Sequence, residues 1–91
     1  MMMEMEYEWD EAKRQSNLRK HRLDFVDVIH FNWDSAQVVE DNRESYGEQR
    51  FNACGFLFDR LVILTFSVRN ERLRIISLRK ATQHEQKYYA N

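Results

Sequence analysis

Apolar and acidic residues alternate with a period of two from Met5 to Trp9, and this predicts a short edge strand. Asp10 then stands where a helix N-cap belongs, and Glu11 in the first turn with basic residues in the later turns matches the dipole of a helix running to about His21. That helix is polar, anchored by only Trp9, Ala12 and Leu18, so a surface position is expected. Asp24 is a second N-cap, followed by Phe25, Val28, Ile29 and Trp33 at three- and four-residue spacing, the stripe of a short amphipathic helix. Ala36 to Val39 reads as a strand, and the polar run from Glu40 to Gly47 as a turn or hairpin loop.

Three further strands are predicted over Glu48–Phe56, Arg60–Val68 and Arg72–Arg79, broken at Gly55–Asp59 and at Asn70-Glu71, with a closing helix from about Ala81 to Tyr89. Short connections between consecutive strands imply antiparallel pairing. The expected architecture is therefore a single α+β domain over residues 1–91: an antiparallel sheet, two N-terminal helices and one C-terminal helix. No proline, repeat or low-complexity run marks a boundary inside it.

The alternation sorts side chains into faces. Val62, Leu64, Phe66 and Val68 form one row, and Leu61, Ile63, Thr65, Ser67 and Arg69 the other. In the preceding strand Phe51 and Ala53 alternate with Glu48, Arg50 and Asn52. In the following one Leu73, Ile75, Ser77 and Arg79 alternate with Arg74, Ile76 and Leu78. One register gathers Glu48, Arg50, Thr65, Ser67, Arg69, Ser77 and Arg79 on a partly open face. On this regular alternation Arg74 and Arg79 point to opposite sides, and a one-residue slip would exchange them.

Charge adds a second layer. The net formal charge is −1, which argues against a protein that simply coats nucleic acid, but residues 13–22 hold five bases and no acid, and residues 69–80 hold five bases and one acid. A strand carrying such arginines presents rigid forks of donors suited to phosphate oxygens, or else protects a sheet edge. The single cysteine, Cys54, excludes an internal disulfide and reads as a structural thiol; a reducing, cytoplasmic setting fits. The acidic N-terminus lacks the features of a signal peptide, and no apolar window is long enough to span a membrane.

His21 sits at the end of the first helix, where it can exchange a proton near neutral pH or serve as the cation that closes the helix. Glu48 can act as a general base or as a cross-strand ion-pair partner. Glu85 and Tyr88 share one face of the last helix, and Tyr88 can stack on a base or pack on the sheet. No two histidines have the spacing of a zinc-binding helix, so neither a metal nor another cofactor is expected.

The ordered set Glu8-Trp9-Asp10-Glu11-Ala12-Lys13, Asn17-Leu18-Arg19-Lys20-His21, Asp24-Phe25, Gly47-Glu48-Gln49-Arg50, Gly55 and Arg74-Ile75-Ile76-Ser77-Leu78-Arg79-Lys80-Ala81, with Glu85 and Tyr88, resembles the BrnT family of toxins from bacterial type II toxin–antitoxin systems. The resemblance runs from Tyr7 to Tyr88. One departure is Arg22, where the family commonly has glycine. The run of methionines at the start also leaves Met2, Met3 or Met5 as candidate initiation sites.

The resemblance implies a RelE-like fold and metal-independent endoribonuclease activity that inhibits translation. It also implies neutralisation by a BrnA-like antitoxin with a DNA-binding domain, the two forming a hetero-oligomer on their own operator. In such a reaction the RNA 2′-hydroxyl attacks the adjacent phosphate. Arg50, Arg69 and Arg79 are the candidates for transition-state stabilisation, and His21 or Glu48 for proton transfer. Lys20, Arg43 and Arg74 would hold the RNA backbone, with Tyr88 stacking on a base. The alternatives are a non-catalytic subunit that binds an antitoxin or operator DNA through its basic face, and a purely structural interaction domain.

Overall fold

The long alternating segments become the centre of the sheet. In the computed structural model, which describes residues 5–43 and 47–90, the elements in chain order are β1 (Tyr7–Trp9), α1 (Glu11–His21), a 3-10 helix (Phe25–His30), β2 (Gln37–Glu40), β3 (Phe51–Leu57), β4 (Arg60–Arg69), β5 (Arg72–Lys80) and α2 (Gln83–Ala90). The five strands form one sheet in the order β1-β5-β4-β3-β2. The candidate initiation residues Met2 and Met3, and Glu44, Ser45 and Tyr46 of the expected turn, lie outside the described residues.

Strands β2 to β5 pair antiparallel, as short connections require. The β4–β5 turn has both Asn70 and Glu71 at positive φ, 50° and 66°, the backbone of a tight hairpin whose twist matches its strands. The expected wholly antiparallel sheet is corrected by β1, which pairs parallel to β5. It joins the free edge of the last strand rather than a sequence neighbour, so no hairpin fixes its direction. Strand β3 also runs through Gly55 instead of breaking there. A Cβ at Gly55 would lie 2.8 Å from the Phe31 ring and 3.0 Å from the Ala36 Cβ, so the glycine is a close-approach site within a strand.

One sheet face is the core. Phe51, Ala53 and Leu57 of β3, Val62, Leu64 and Phe66 of β4, and Ile75 and Leu78 of β5 pack beneath Leu23, Phe25, Val28 and Phe31. The segment after α1 is not the amphipathic α-helix that its spacing suggested. Its buried residues recur every third position, Phe25, Val28 and Phe31, which is the period of a 3-10 helix; Ile29 is 66% exposed, and Trp33 follows the helix end. Trp33 still joins the core edge, crossing Phe31 and Phe66 at ring distances of 4.8 and 5.5 Å and donating its indole N–H to the Tyr7 hydroxyl at 2.8 Å.

Helix α1 begins on the expected cap, with Asp10 Oδ1 accepting from the N–H of Ala12 and Lys13. Its anchor is not Leu18, which is partly exposed, but the buried Asn17. Strand β1 pairs with β5 only at residues 73–75, so beyond them one edge of β5 has no strand beside it. The Asn17 amide fills that place: its Nδ2 donates to Leu78 O at 2.9 Å and to Leu23 O at 3.0 Å, and its Oδ1 accepts from Leu78 N–H at 3.1 Å. A side chain thus completes a sheet edge with the donor and acceptor that a strand would offer.

Two stability predictions follow from α1. Asn17→Ala strands the buried N–H and C=O of Leu78 and should cost about 3 kcal/mol, measured by urea denaturation. Arg22 ends the helix at φ 60°, a left-handed conformation that favours glycine, while its N–H donates to Leu18 O. Arg22→Gly should therefore gain roughly 0.5–1 kcal/mol, read as a rise of a few degrees in Tm.

Candidate active site

The sheet face opposite the core carries the polar residues, and its layout follows from register. One row across the sheet is Gln37, Cys54, Ile63 and Arg79; the next is Val39, Asn52, Thr65 and Ser77; the third contains Ser67, Arg74 and Glu8. Arg50, just before β3, continues the alternation towards the third row. Arg69 and Arg72 pair at the far end.

Regular alternation would have separated Arg74 from Arg79, and the structure corrects this. Between Thr65↔Ser77 and Phe66↔Ile75 the register shifts, so Ile76 is an extra residue in β5. This β-bulge reverses the parity of the strand. Ile75 and Leu78, three residues apart, are both buried on the core side, while Arg72, Arg74, Ser77 and Arg79 share the polar side.

Arg79 sits at a cleft of about 380 Å³ whose lining includes Asp41, Arg43, Asn52, Cys54, Glu85 and Tyr88. Its Nη1 and Nη2 donate to the two Glu85 oxygens at 2.8 and 2.9 Å, and Nη1 also reaches Lys80 O at 3.2 Å. Glu85 is fixed independently by a capping box at the start of α2, accepting from Thr82 N–H at 2.8 Å while Thr82 Oγ1 accepts from Glu85 N–H at 3.2 Å. The carboxylate therefore holds the end of the guanidinium. The side formed by Nε and the second Nη2 proton donates to no other group among the described residues, and it is a fork of the right shape for an oxyanion. Arg79 holds the Glu85 carboxyl down at about 2.

A polar chain forms the opposite wall. Arg43 clamps Asp41 through Nε and Nη2, both at 2.8 Å. That contact, more than any other, keeps the Asp41 carboxyl well below its usual range, and Asn52 assists. Asn52 Oδ1 accepts from Thr65 Oγ1 at 2.7 Å. Burial, then the Glu85 charge, pushes the Cys54 thiol up, so it stays protonated at neutral pH, consistent with a structural thiol. Tyr88 is 69% exposed at the cleft, whereas Tyr89 does the packing, with its ring 5.7 Å from Phe56 and its hydroxyl donating to Ser35 O at 2.7 Å.

His21 ends α1 and is half-buried. Burial, then the positive charges of Lys20 and Arg79, lower its pKa from the ordinary 6.5, so the imidazole is neutral at pH 7. Lys20 beside it is exposed.

The remaining sequence candidates lie elsewhere on the face. Glu48 pairs with Arg69 at 3.3 Å, and Arg74 with Glu8 at 2.8 Å. Arg69 lies six residues along β4 from Ile63, the partner of Arg79, or about 20 Å. Arg69 and Glu48 therefore do not join Arg79 around one phosphate. The residues that sequence reasoning missed are Asp41, Asn52 and Tyr89. Asp41 and Asn52 are far apart in the chain, and only the pairing of β2 with β3 brings them together.

Fold and face together define a small α+β fold that carries arginines on the polar side of a mixed sheet. Residues 9–85 match the family described as ribonuclease toxin, BrnT, of type II toxin-antitoxin system, and the chain belongs to that family. Its structure is similar to the crystal structure of the Brucella abortus ribonuclease toxin BrnT, with a TM-score of 0.70 and 32% identity over 87% of this chain and 99% of that one. No curated protein sequence matches it.

The Glu85–Arg79 pair also sets a pH dependence. Because the folded-state carboxyl is lowered from 4.5 to about 2, its contribution is complete above 4.5 and is lost as pH falls towards 2. Stability against urea should drop across that window, and Glu85→Gln should flatten the drop.

Proposed function

We propose that this chain is the RelE-like, cytoplasmic toxin of a type II toxin–antitoxin pair, a metal-independent endoribonuclease that inhibits translation by cutting RNA. A BrnA-like antitoxin would neutralise it in a hetero-oligomer and carry it to operator DNA. The observation that supports this reading best is the Arg79 guanidinium: Glu85 fixes its end where it lines a cleft of about 380 Å³, and its charge reaches His21.

In the mechanism we favour, His21 accepts the proton of the RNA 2′-hydroxyl as that oxygen attacks the adjacent phosphorus. Arg79 receives the charge that builds on the phosphate oxygens, in a geometry prepared before the substrate arrives. The imidazolium then supplies the proton needed by the leaving 5′-oxygen, directly or through water, giving a 2′,3′-cyclic phosphate and a free 5′-hydroxyl. Lys20 and Arg43 flank the phosphate path, and Tyr88 offers its ring to a base. Arg50, Arg69 and Arg74 belong to backbone binding in this reading, and Glu48 to orienting Arg69. In this reading the arginines supply the positive charge that a metal would otherwise bring.

Purified protein should cleave RNA in EDTA, leaving cyclic phosphate ends. Arg79→Ala should lower the rate by about 10²–10³-fold, as loss of a preorganised oxyanion donor does. The rate should rise with pH through an inflection below the ordinary histidine value and level off towards alkaline pH, because burial and neighbouring positive charge lower the pKa of the base. Intact RNA with the parent protein, together with normal growth on expressing it alone, favours a non-catalytic subunit. An Arg79→Ala variant as active as the parent overturns the assignment.

A further inference from the structure

We infer that the far end of the polar face is a second phosphate-binding subsite, so that the toxin grips RNA nucleotides away from the cleavage point as well as at it. This rests on the RNA-cleaving reading above and adds a substrate footprint to it.

Three observations carry it. The Ile76 bulge turns Arg72 and Arg74 onto the face of Arg79, where Arg69 and the Arg50 position extend the same basic tract. A strand feature that re-aims two arginines towards a site, while keeping Ile75 and Leu78 in the core, is the kind of irregularity that sheets keep for function. Next, the partners of these arginines are surface carboxylates. Arg72–Glu6 has side chains 55% and 68% exposed, Arg69–Glu48 51% and 31%, and Arg74–Glu8 29% and 28%. The exposed Arg72–Glu6 and Arg69–Glu48 pairs are weak and salt-screened, so a phosphodiester can replace the carboxylate there, while the part-buried Arg74–Glu8 pair holds its guanidinium in place beside them. Third, Ser67 lies fully buried opposite Arg74, and its Oγ has no partner among the described residues. Being fully buried it does not meet an anion directly, but a hydroxyl left unanswered beneath a basic row is a donor for a water that bridges to an anion above it.

The spacing sets the footprint. Arg74 lies opposite Ser67 and Arg79 opposite Ile63, four residues apart on β4, or roughly 13 Å. At a stacked rise of about 3.4 Å per nucleotide the two subsites are about four nucleotides apart, and fewer when the strand is extended. A dinucleotide reaches only the cleft; an octanucleotide reaches both.

The test measures binding of 2′-O-methyl oligonucleotides, which cannot cyclise, at several salt concentrations, using a dinucleotide and an octanucleotide. The octanucleotide should bind the parent more tightly. Arg74→Ala should weaken octanucleotide binding about fivefold or more and lower the salt slope by about 0.7, the value for one single-strand phosphate contact. Glu8→Gln should have the opposite sign and tighten it. If both variants weaken octanucleotide binding together and both lower Tm, the Arg74–Glu8 pair only holds β1, and the inference is overturned. It is also overturned if Arg74→Ala spares RNA and weakens binding of the antitoxin. Equal affinity for the two lengths by a parent that still cleaves RNA removes the second subsite and leaves the proposed activity standing. Binding of neither length removes both.

Discussion

The amide of Asn17 is the interaction on which the rest of the architecture depends. Strand β1 supports β5 only at residues 73–75, so the stretch of β5 that carries Ser77 and Arg79 has a strand on one side alone. Asn17 bonds to both backbone groups of Leu78 and also to Leu23 O, tying α1, the chain after it and β5 at one point. An aliphatic side chain could fill the same space but would leave the Leu78 N–H and C=O buried and unpaired. The clamp also places the end of α1, and hence His21, where burial first, and then the charges of Lys20 and Arg79, depress its pKa.

With that edge secured, β5 accommodates a bulge. The strand must bury Ile75 and Leu78, which a regular alternation cannot do on one side, and the extra residue at Ile76 resolves the conflict. The same residue decides the electrostatics, because it sends Arg72, Arg74 and Arg79 to one face. Arg79 is then steadied by Glu85, which the α2 capping box holds from the other direction. Core packing and the basic face are two outcomes of one irregularity.

Much of this was legible in the sequence. Asp10 and Asp24 as caps, the strand positions, the Asn70-Glu71 hairpin and the pairing of Thr65, Ser67, Ser77 and Arg79 on one face all follow from period and turn chemistry. What was not legible required tertiary information. Leu73, Ile75, Ile76 and Leu78 are all apolar, so no polarity mark shows which of them is the surplus residue. Asn17 looks like any polar residue of a surface helix until the edge it completes is known. The three-residue period of Phe25, Val28 and Phe31 was hidden by Ile29 and Trp33, which fit an α-helical stripe equally well. Grouping Arg69 with Arg79 relied on their shared face, whereas the length of β4 keeps them apart.

Native-state hydrogen exchange at the Leu78 amide tests the clamp most directly. Leu78 faces Leu64 across β4 and β5, but its N–H points away from β4 to Asn17 Oδ1. The account predicts that this amide exchanges only through global unfolding, as slowly as central β4 amides, and that Asn17→Ala moves it into fast local exchange. A Leu78 amide that already exchanges rapidly in the parent protein, like a frayed edge position, would contradict it.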